Sequence, residues 1–110
     1  MKGQLTTVDL IISKDVKDYF LKKFIIKLSK IIGVKKPVST TRKFIKGNLK
    51  KYTLIQTAPE STIVIHINLH EKRIFADIFS YKKFDAIKVK QLSQQFFNVN
   101  KAVVRTIIRE

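Results

Sequence analysis

The segment from residue 62 to residue 80 most constrains the fold, because it contains two strand patterns joined by a short polar loop. Residues 62–69 and 74–80 alternate with the two-residue period of a β-strand. One face takes Ile63, Ile65, Ile67, Leu69, Ile74, Ala76 and Ile78, and the other takes Val64, His66, Asn68, Phe75, Asp77, Phe79 and Tyr81. The polar loop 70–73 predicts a hairpin, and therefore an antiparallel sheet with one apolar face and one mixed face.

The remaining segments extend this hairpin into a two-layer fold. Strands are predicted over residues 5–12, 38–46, 51–57 and 102–108, and helices over residues 15–32 and 84–97. The order predicts an α+β two-layer sandwich, with a mostly antiparallel sheet and both helices on one face. A chain of 110 residues is the size of one domain, so residues 1–110 are expected to form a single unit.

The sheet face opposite the helices is predicted to be covered by a second copy of the chain. It carries Phe75 and Phe79 beside His66 and Asp77, and large apolar side chains in such a patch indicate a contact surface. We therefore expect a homodimer that pairs sheet to sheet, with the functional groups on the same face.

The charge is strongly positive, with 23 basic residues against 8 acidic ones and a net charge of +15. Such an excess can indicate nucleic acid, an anionic membrane surface or an acidic ligand. The lysines are spread along the whole chain, however, which favours compositional bias. We therefore expect neither a membrane nor a nucleic acid as partner. No apolar run reaches the roughly 20 residues of a membrane span, and no signal-peptide pattern opens the chain, so a cytoplasmic location is expected.

Several kinds of site are excluded by residue type. The chain has no cysteine and three glycines, which leaves no thiolate site and no glycine-rich phosphate loop. The two histidines, His66 and His70, lack a carboxylate cluster with ligand spacing, so no metal is expected. Ser61, His66 and Asp77 do not form a hydrolase pattern, because no nucleophile elbow surrounds the serine.

The motif that carries chemistry is Glu60-Ser61 at the start of a strand, with His66 five residues later and Asp77-Ile78-Phe79 on the next strand. In a chain of this length and element order, the motif resembles the short prokaryotic S-adenosylmethionine decarboxylases. The resemblance implies autocatalytic cleavage at Glu60-Ser61 into residues 1–60 and 61–110, and a pyruvoyl group made from Ser61. That ketone would form a Schiff base with the substrate amine and accept electrons when carbon dioxide leaves. His66 would act as base, since histidine exchanges protons near neutral pH.

The chain departs from the family pattern at several positions. Tyr81 stands where the resemblance implies the cysteine that protonates the substrate carbon. Thr53 replaces a serine that assists cleavage, and His70 and Glu71 lie in an altered loop. At Phe44, by contrast, the resemblance implies that the aromatic residue that stacks on adenine is kept.

Pairing Leu69 with Ile74 predicts which residues of the hairpin face each other. His66 then lies opposite Asp77, which would orient it, and Tyr81 lies opposite Thr62 beside the scissile serine. Ser61 and His66 are five positions apart, and an odd separation in a regular strand places two side chains on opposite faces. A bulge or turn at Ser61 is therefore needed to bring them to one face.

The leading functional prediction is a carboxy-lyase that acts on S-adenosylmethionine in the biosynthesis of spermidine and other polyamines. Decarboxylation of arginine or ornithine is an alternative, because the adenine-side residues differ. A second alternative is an unprocessed, non-catalytic homologue that acts as a partner or regulator. A nucleic-acid-binding module is a third, supported by charge alone.

Overall fold

Within the residues that the structure describes, six strands and two helices follow one another in the predicted order. The computed structural model describes residues 2–34, 39–45 and 48–110, and of residues 39–45, 48 and 49 it describes the backbone alone. The elements are β1 (Gly3–Ile11), α1 (Asp18–Ile32), β2 (Ser39–Ile45), β3 (Asn48–Ala58), β4 (Ser61–Asn68), β5 (Arg73–Ser80), α2 (Ala86–Phe97) and β6 (Ala102–Arg109). The predicted turn at Gly47 lies outside the described residues.

All six strands form one sheet in the order β2-β3-β4-β5-β1-β6, and every neighbouring pair is antiparallel. The N-terminal strand therefore lies inside the sheet, between the hairpin strand β5 and the C-terminal strand. This arrangement places β4, which carries Ser61 and His66, between β3 and β5.

Both helices cover one face of the sheet, as the alternation predicts. Side chains of β4 and β5 that point to the helices are buried, including Ile63, Ile65, Ile74 and Ile78 at 1% exposure or less. They join one core with the apolar stripe of α1, whose buried members are Leu21, Phe24, Ile25, Leu28 and Ile32. Four aromatic rings connect the helices, with Phe20 and Phe96 at 4.4 Å between centroids and Phe24 and Phe97 at 4.8 Å. The α+β two-layer prediction is confirmed.

The helices begin later than the sequence pattern predicts. α1 starts at Asp18 rather than at residue 15, because the Asp15 carboxylate pairs with the Lys72 ammonium and Lys17 holds the N-cap position. This hydrogen bond from Lys72 lowers the pKa of Asp15. The C-terminal end is as predicted: Gly33 adopts the left-handed conformation with φ 81°, which glycine reaches without a steric penalty.

The register of the β4–β5 hairpin differs from the prediction by two residues. Asn68 pairs with Arg73, so His66 lies opposite Phe75, and Ser61 lies opposite Ser80. A shift of two keeps every side chain on its predicted face, so the alternation could not exclude it. The observed pairing leaves the four residues 69–72 as the hairpin turn, and Lys72 takes a left-handed φ of 56° there.

Two buried polar side chains fix the end of α1 over the β3–β4 hairpin. Gln56 on β3 donates from Nε2 to the Ser29 hydroxyl at 2.6 Å, and Ser29 donates to the Ile25 carbonyl at 2.8 Å. Gln56 and Ser29 are 3% and 4% exposed. Because a buried amide without partners is unfavourable, this contact favours one position of the helix end above the hairpin turn.

Candidate active site

The Glu60-Ser61 peptide bond lies where a tight turn becomes a strand. Ala58 pairs with Ser61, so Pro59 and Glu60 are the two residues of the β3–β4 turn. The Glu60 carbonyl oxygen accepts a hydrogen bond of 3.0 Å from the backbone N–H of Tyr81. The carbonyl that Ser61 would attack is thus held by a donor from the segment that follows β5.

A cavity of ≈ 480 Å³ adjoins this bond on the helix side of the sheet. Its lining combines the end of α1, the β3–β4 turn and the end of β5: Ile32, Gly33, Val34, Ala58, Pro59, Glu60, Ser61, Ser80 and Lys82. Cavities of this size hold small molecules. The Ser61 side chain is 6% exposed and Ser80, directly opposite, is 2% exposed, so two hydroxyl-bearing residues lie side by side at the cavity wall.

Of the bulge or turn predicted at Ser61, the bulge is wrong, and the turn lies directly before Ser61, at Pro59 and Glu60. β4 pairs with β3 and β5 without a register shift, so the turn ends at Glu60 and Ser61 is the first residue of a regular strand. Ser61 therefore faces the helices, whereas His66 is exposed on the opposite face. Five residues of strand also separate them by about 16 Å. In the uncleaved chain, the structure does not bring His66 and Ser61 together.

His66 instead belongs to a polar row on the outer face of the sheet. Thr53 lies directly opposite it on β3, and the Thr53 hydroxyl is 3.2 Å from His66 Nδ1. On the other side, His66 Nε2 is 3.5 Å from Asp77 Oδ2, with 48% and 46% of the two side chains exposed. The predicted pairing of His66 opposite Asp77 is wrong, since Val64 faces Asp77. The predicted contact forms across the diagonal, so one carboxylate and one hydroxyl still orient the imidazole.

Tyr81 is close to the scissile bond, although not opposite Thr62 as predicted. Thr62 faces Phe79, and Tyr81 follows the end of β5 beside Glu60. Its side chain is 60% exposed, and its ring packs edge-on against Phe79 at 5.0 Å between centroids. The phenol therefore stays on the outer side of the sheet, while the backbone of the same residue contacts the cleavage site.

Two other predicted site residues, His70 and Glu71, are not beside Ser61. His70 and Glu71 occupy the β4–β5 turn, which follows the last residue of β4, Asn68. Asn68 is itself about 23 Å from Ser61 along the strand. Glu71 there donates its N–H to the Asn68 side chain at 3.2 Å. The substrate-binding prediction for Phe44 concerns a side chain outside the described part of β2. Among the described residues, no three His, Asp or Glu side chains gather as metal ligands.

Comparison with known proteins identifies the family to which this chain belongs. The family model described as S-adenosylmethionine decarboxylase matches residues 7–110. The chain belongs to the S-adenosylmethionine decarboxylase family. Enzymes of this name are carboxy-lyases, so the predicted reaction class is confirmed at the level of the family.

A solved structure is similar in fold. The adenosylmethionine decarboxylase of Aquifex aeolicus VF5 superposes with a TM-score of 0.65, covering 98% of this chain and 93% of that one, at 13% sequence identity. At that identity the likeness concerns the fold, which it confirms as that of a decarboxylase of this family. No curated protein sequence matches the chain. In the described parts of the chain, neither helix is long and apolar enough to cross a membrane.

The sheet face opposite the helices, here called the outer face, carries more apolar side chains than Phe75 and Phe79, the two on which the dimer prediction rests. Its apolar residues are Leu5, Ile11, Ile55, Val64, Phe75, Phe79, Val103 and Ile107. Phe75 and Phe79 are half-buried, because the guanidinium groups of Arg73 and Arg109 lie over their rings at 5.2 and 5.7 Å. Ile11 and Ile107 are 64% and 58% exposed. The face thus surrounds the Thr53–His66–Asp77 row with apolar side chains.

The sequence reasoning missed two residues at the cleavage site, Ser80 and Lys82. The correct hairpin register would have found Ser80, since it pairs Ser80 with Ser61. Lys82 carries no distinguishing pattern among so many lysines. Its ammonium lies 3.0 Å from Glu60 Oε2, a contact that only the folded turn creates.

Proposed function

We propose that the chain cleaves itself between Glu60 and Ser61 and becomes a pyruvoyl-dependent decarboxylase of S-adenosylmethionine. The supporting observation is the setting of the Glu60-Ser61 bond. It lies at a turn, at the wall of a cavity, with its carbonyl oxygen already hydrogen-bonded to the Tyr81 N–H. Family membership supports the same reaction and substrate. These residues fit the pyruvoyl group, which requires a serine at a cleavable bond beside a space for a small molecule.

The first step is the attack of the Ser61 hydroxyl on the Glu60 carbonyl carbon. Negative charge then develops on the carbonyl oxygen, and the Tyr81 N–H at 3.0 Å is placed to stabilise it. Breaking the C–N bond leaves an ester between Glu60 and the Ser61 oxygen, and the Ser61 nitrogen takes up a proton to become an amine. The backbone hydrogen bond does not depend on the Tyr81 side chain, so this step tolerates the departure from the family cysteine.

The second step is β-elimination from the ester. A base removes the Ser61 Cα proton, the Cβ–O bond breaks, and Glu60 leaves as a carboxylate at the end of residues 1–60. Residue 61 becomes dehydroalanine, and water converts it to a ketone with loss of ammonia. The pyruvoyl group supplies this ketone, which condenses with the substrate amine and accepts electrons as carbon dioxide leaves.

We assign His66 to this second step rather than to the first. In the intact peptide, Ser61 faces the helices and His66 faces outward. Ester formation frees the Ser61 nitrogen from the peptide bond, and the new chain end must then leave the first position of β4 and cross to the outer face to come within reach of His66, which lies about 16 Å along the strand. Asp77 and Thr53 then orient the His66 ring.

Intact-mass spectrometry of the purified protein tests the cleavage. We expect two chains, residues 1–60 and residues 61–110 with a pyruvoyl group in place of the first amine. Release of carbon dioxide from S-adenosylmethionine, arginine and ornithine then tests the substrate, and S-adenosylmethionine is expected to react fastest. A faster reaction with arginine or ornithine would transfer the assignment to that amino acid.

A second copy of the chain is proposed to cover the outer face of the sheet. The face carries apolar side chains on β1, β3, β4, β5 and β6, and no element of the described chain lies on it, whereas the opposite face is buried under both helices. Apolar patches of this extent are typical of protein contacts. The Thr53–His66–Asp77 row would then lie in the interface, away from bulk water.

Light scattering at micromolar concentration is expected to give the mass of a dimer, and Ile107→Lys should weaken the dimer by placing a charge in the interface. Ile26→Lys is the matched control, since Ile26 is 53% exposed but lies on α1, on the opposite side of the molecule. A monomeric parent protein, or equal dissociation of both variants, would contradict this arrangement.

The non-catalytic alternative has one observation in its favour, the separation of Ser61 from His66 in the uncleaved chain. It predicts a single chain of 110 residues under every condition, with no carbon dioxide released.

A further inference from the structure

The side chain of Glu60 is held by a cation at the cleavage site. Lys82 Nζ lies 3.0 Å from Glu60 Oε2, with 71% and 59% of the two side chains exposed. The backbone N–H of Lys82 donates to the Ser80 hydroxyl at 3.0 Å, which fixes the start of the lysine beside the Ser61–Ser80 pair. Lys82 also lines the cavity that contains Ser61.

Building on the proposed self-cleavage, we propose that the Lys82 ammonium stabilises the leaving group of the elimination step. When the Cβ–O bond of residue 61 breaks, its electron pair stays on the oxygen, which departs as the main-chain carboxylate of Glu60. Glu60 then carries two carboxylates, one on the side chain and one on the new chain end. The ammonium that contacts the first carboxylate belongs to the residue after Tyr81, whose N–H contacts the carbonyl oxygen that becomes part of the second.

Electrostatics explain why the contact between Lys82 and Glu60 should speed the elimination step. Without a cation, the charge that develops on the leaving group meets the Glu60 side-chain carboxylate of the same sign. A cation at 3.0 Å from that side chain offsets the repulsion, and the effect grows as the bond breaks. Because the pair is exposed to water, its contribution is that of a surface ion pair, which corresponds to a rate effect of up to about fivefold.

The contact acts on elimination more than on ester formation. In ester formation the new negative charge resides on the carbonyl oxygen, which the Tyr81 N–H contacts directly. In elimination the charge spreads over both oxygens of a departing carboxylate. Loss of the Lys82 charge should therefore lengthen the life of the ester without preventing its formation.

Lys82→Met removes the charge and keeps the length of the side chain. We expect the ester, detected by hydroxylamine cleavage and intact mass, to disappear more slowly, by up to about fivefold. Lys82→Arg should restore the parent rate, because the charge is kept. Lys83→Met is the matched control: it makes the same change in net charge, but Lys83 lines a groove beside Gln4 and Phe84 away from Ser61.

A double variant separates charge from structure. In a Glu60→Gln background, the side-chain carboxylate is absent, so Lys82→Met should have a smaller effect than in the parent. An equal effect in both backgrounds, or equal elimination rates in Lys82→Met and Lys83→Met, would overturn the role of Lys82 while leaving self-cleavage intact. A parent protein that never forms the ester would overturn the cleavage itself, and the role of Lys82 with it.

Discussion

Ser61→Ala should leave one uncleaved chain of 110 residues, because the Ser61 hydroxyl is the group that attacks the Glu60 carbonyl and carries the ester. The expected loss of cleavage is total, at least about 100-fold in rate, since a nucleophile is removed rather than weakened. Intact-mass spectrometry after prolonged incubation measures it. Thr62→Val is the matched control, because it removes the neighbouring hydroxyl on the opposite face and should cleave like the parent protein.

His66→Ala should stop the same reaction one step later. Because His66 faces away from Ser61 in the intact strand, ester formation should proceed, and the ester should then accumulate. Hydroxylamine would cleave that ester and give residues 1–60 with a hydroxamate end. Normal conversion of His66→Ala to the pyruvoyl form would show that His66 has no role in elimination. A His66→Ala chain that hydroxylamine does not cleave would show that His66 is needed for ester formation itself.

Tyr81→Phe should separate cleavage from decarboxylation. Cleavage should continue at the parent rate, because the backbone N–H that contacts the Glu60 carbonyl and the ring that packs against Phe79 are both retained. Decarboxylation should fall by about 100-fold or more, or the product should be protonated at the wrong atom, because the phenol proton is gone. Masses of both chains and the rate of carbon dioxide release measure the two effects independently.

Unchanged turnover in Tyr81→Phe would show that the phenol is not the proton donor. The sequence would then favour His70, but the structure places His70 in the turn at the far end of β4. Ser80, paired with Ser61 on the cavity side, becomes the next candidate. Ser80→Ala would test it by the same pair of measurements. A parent protein that remains a single chain would instead support the unprocessed partner.

Much of the fold follows from the sequence because its elements have clear periods. The alternation over residues 62–80 determines which side chains of β4 and β5 face the helices, and burial follows that pattern residue by residue. The apolar stripe of α1 and the glycine at position 33 likewise determine where this helix lies and ends. These features depend on short-range sterics and on apolar burial, both of which a single segment reveals.

The tertiary structure decided the register and the geometry of the site. A two-residue shift in the β4–β5 hairpin leaves every side chain on the same face, so the alternation cannot select the pairing. The folded chain selects it, with residues 69–72 as the turn and Lys72 in the left-handed conformation. The same shift pairs Ser61 with Ser80 and brings Tyr81 to the Glu60 carbonyl. Lys82 meets Glu60 for the same reason, because a contact across 22 positions depends on how two strand ends meet in space rather than on any local pattern.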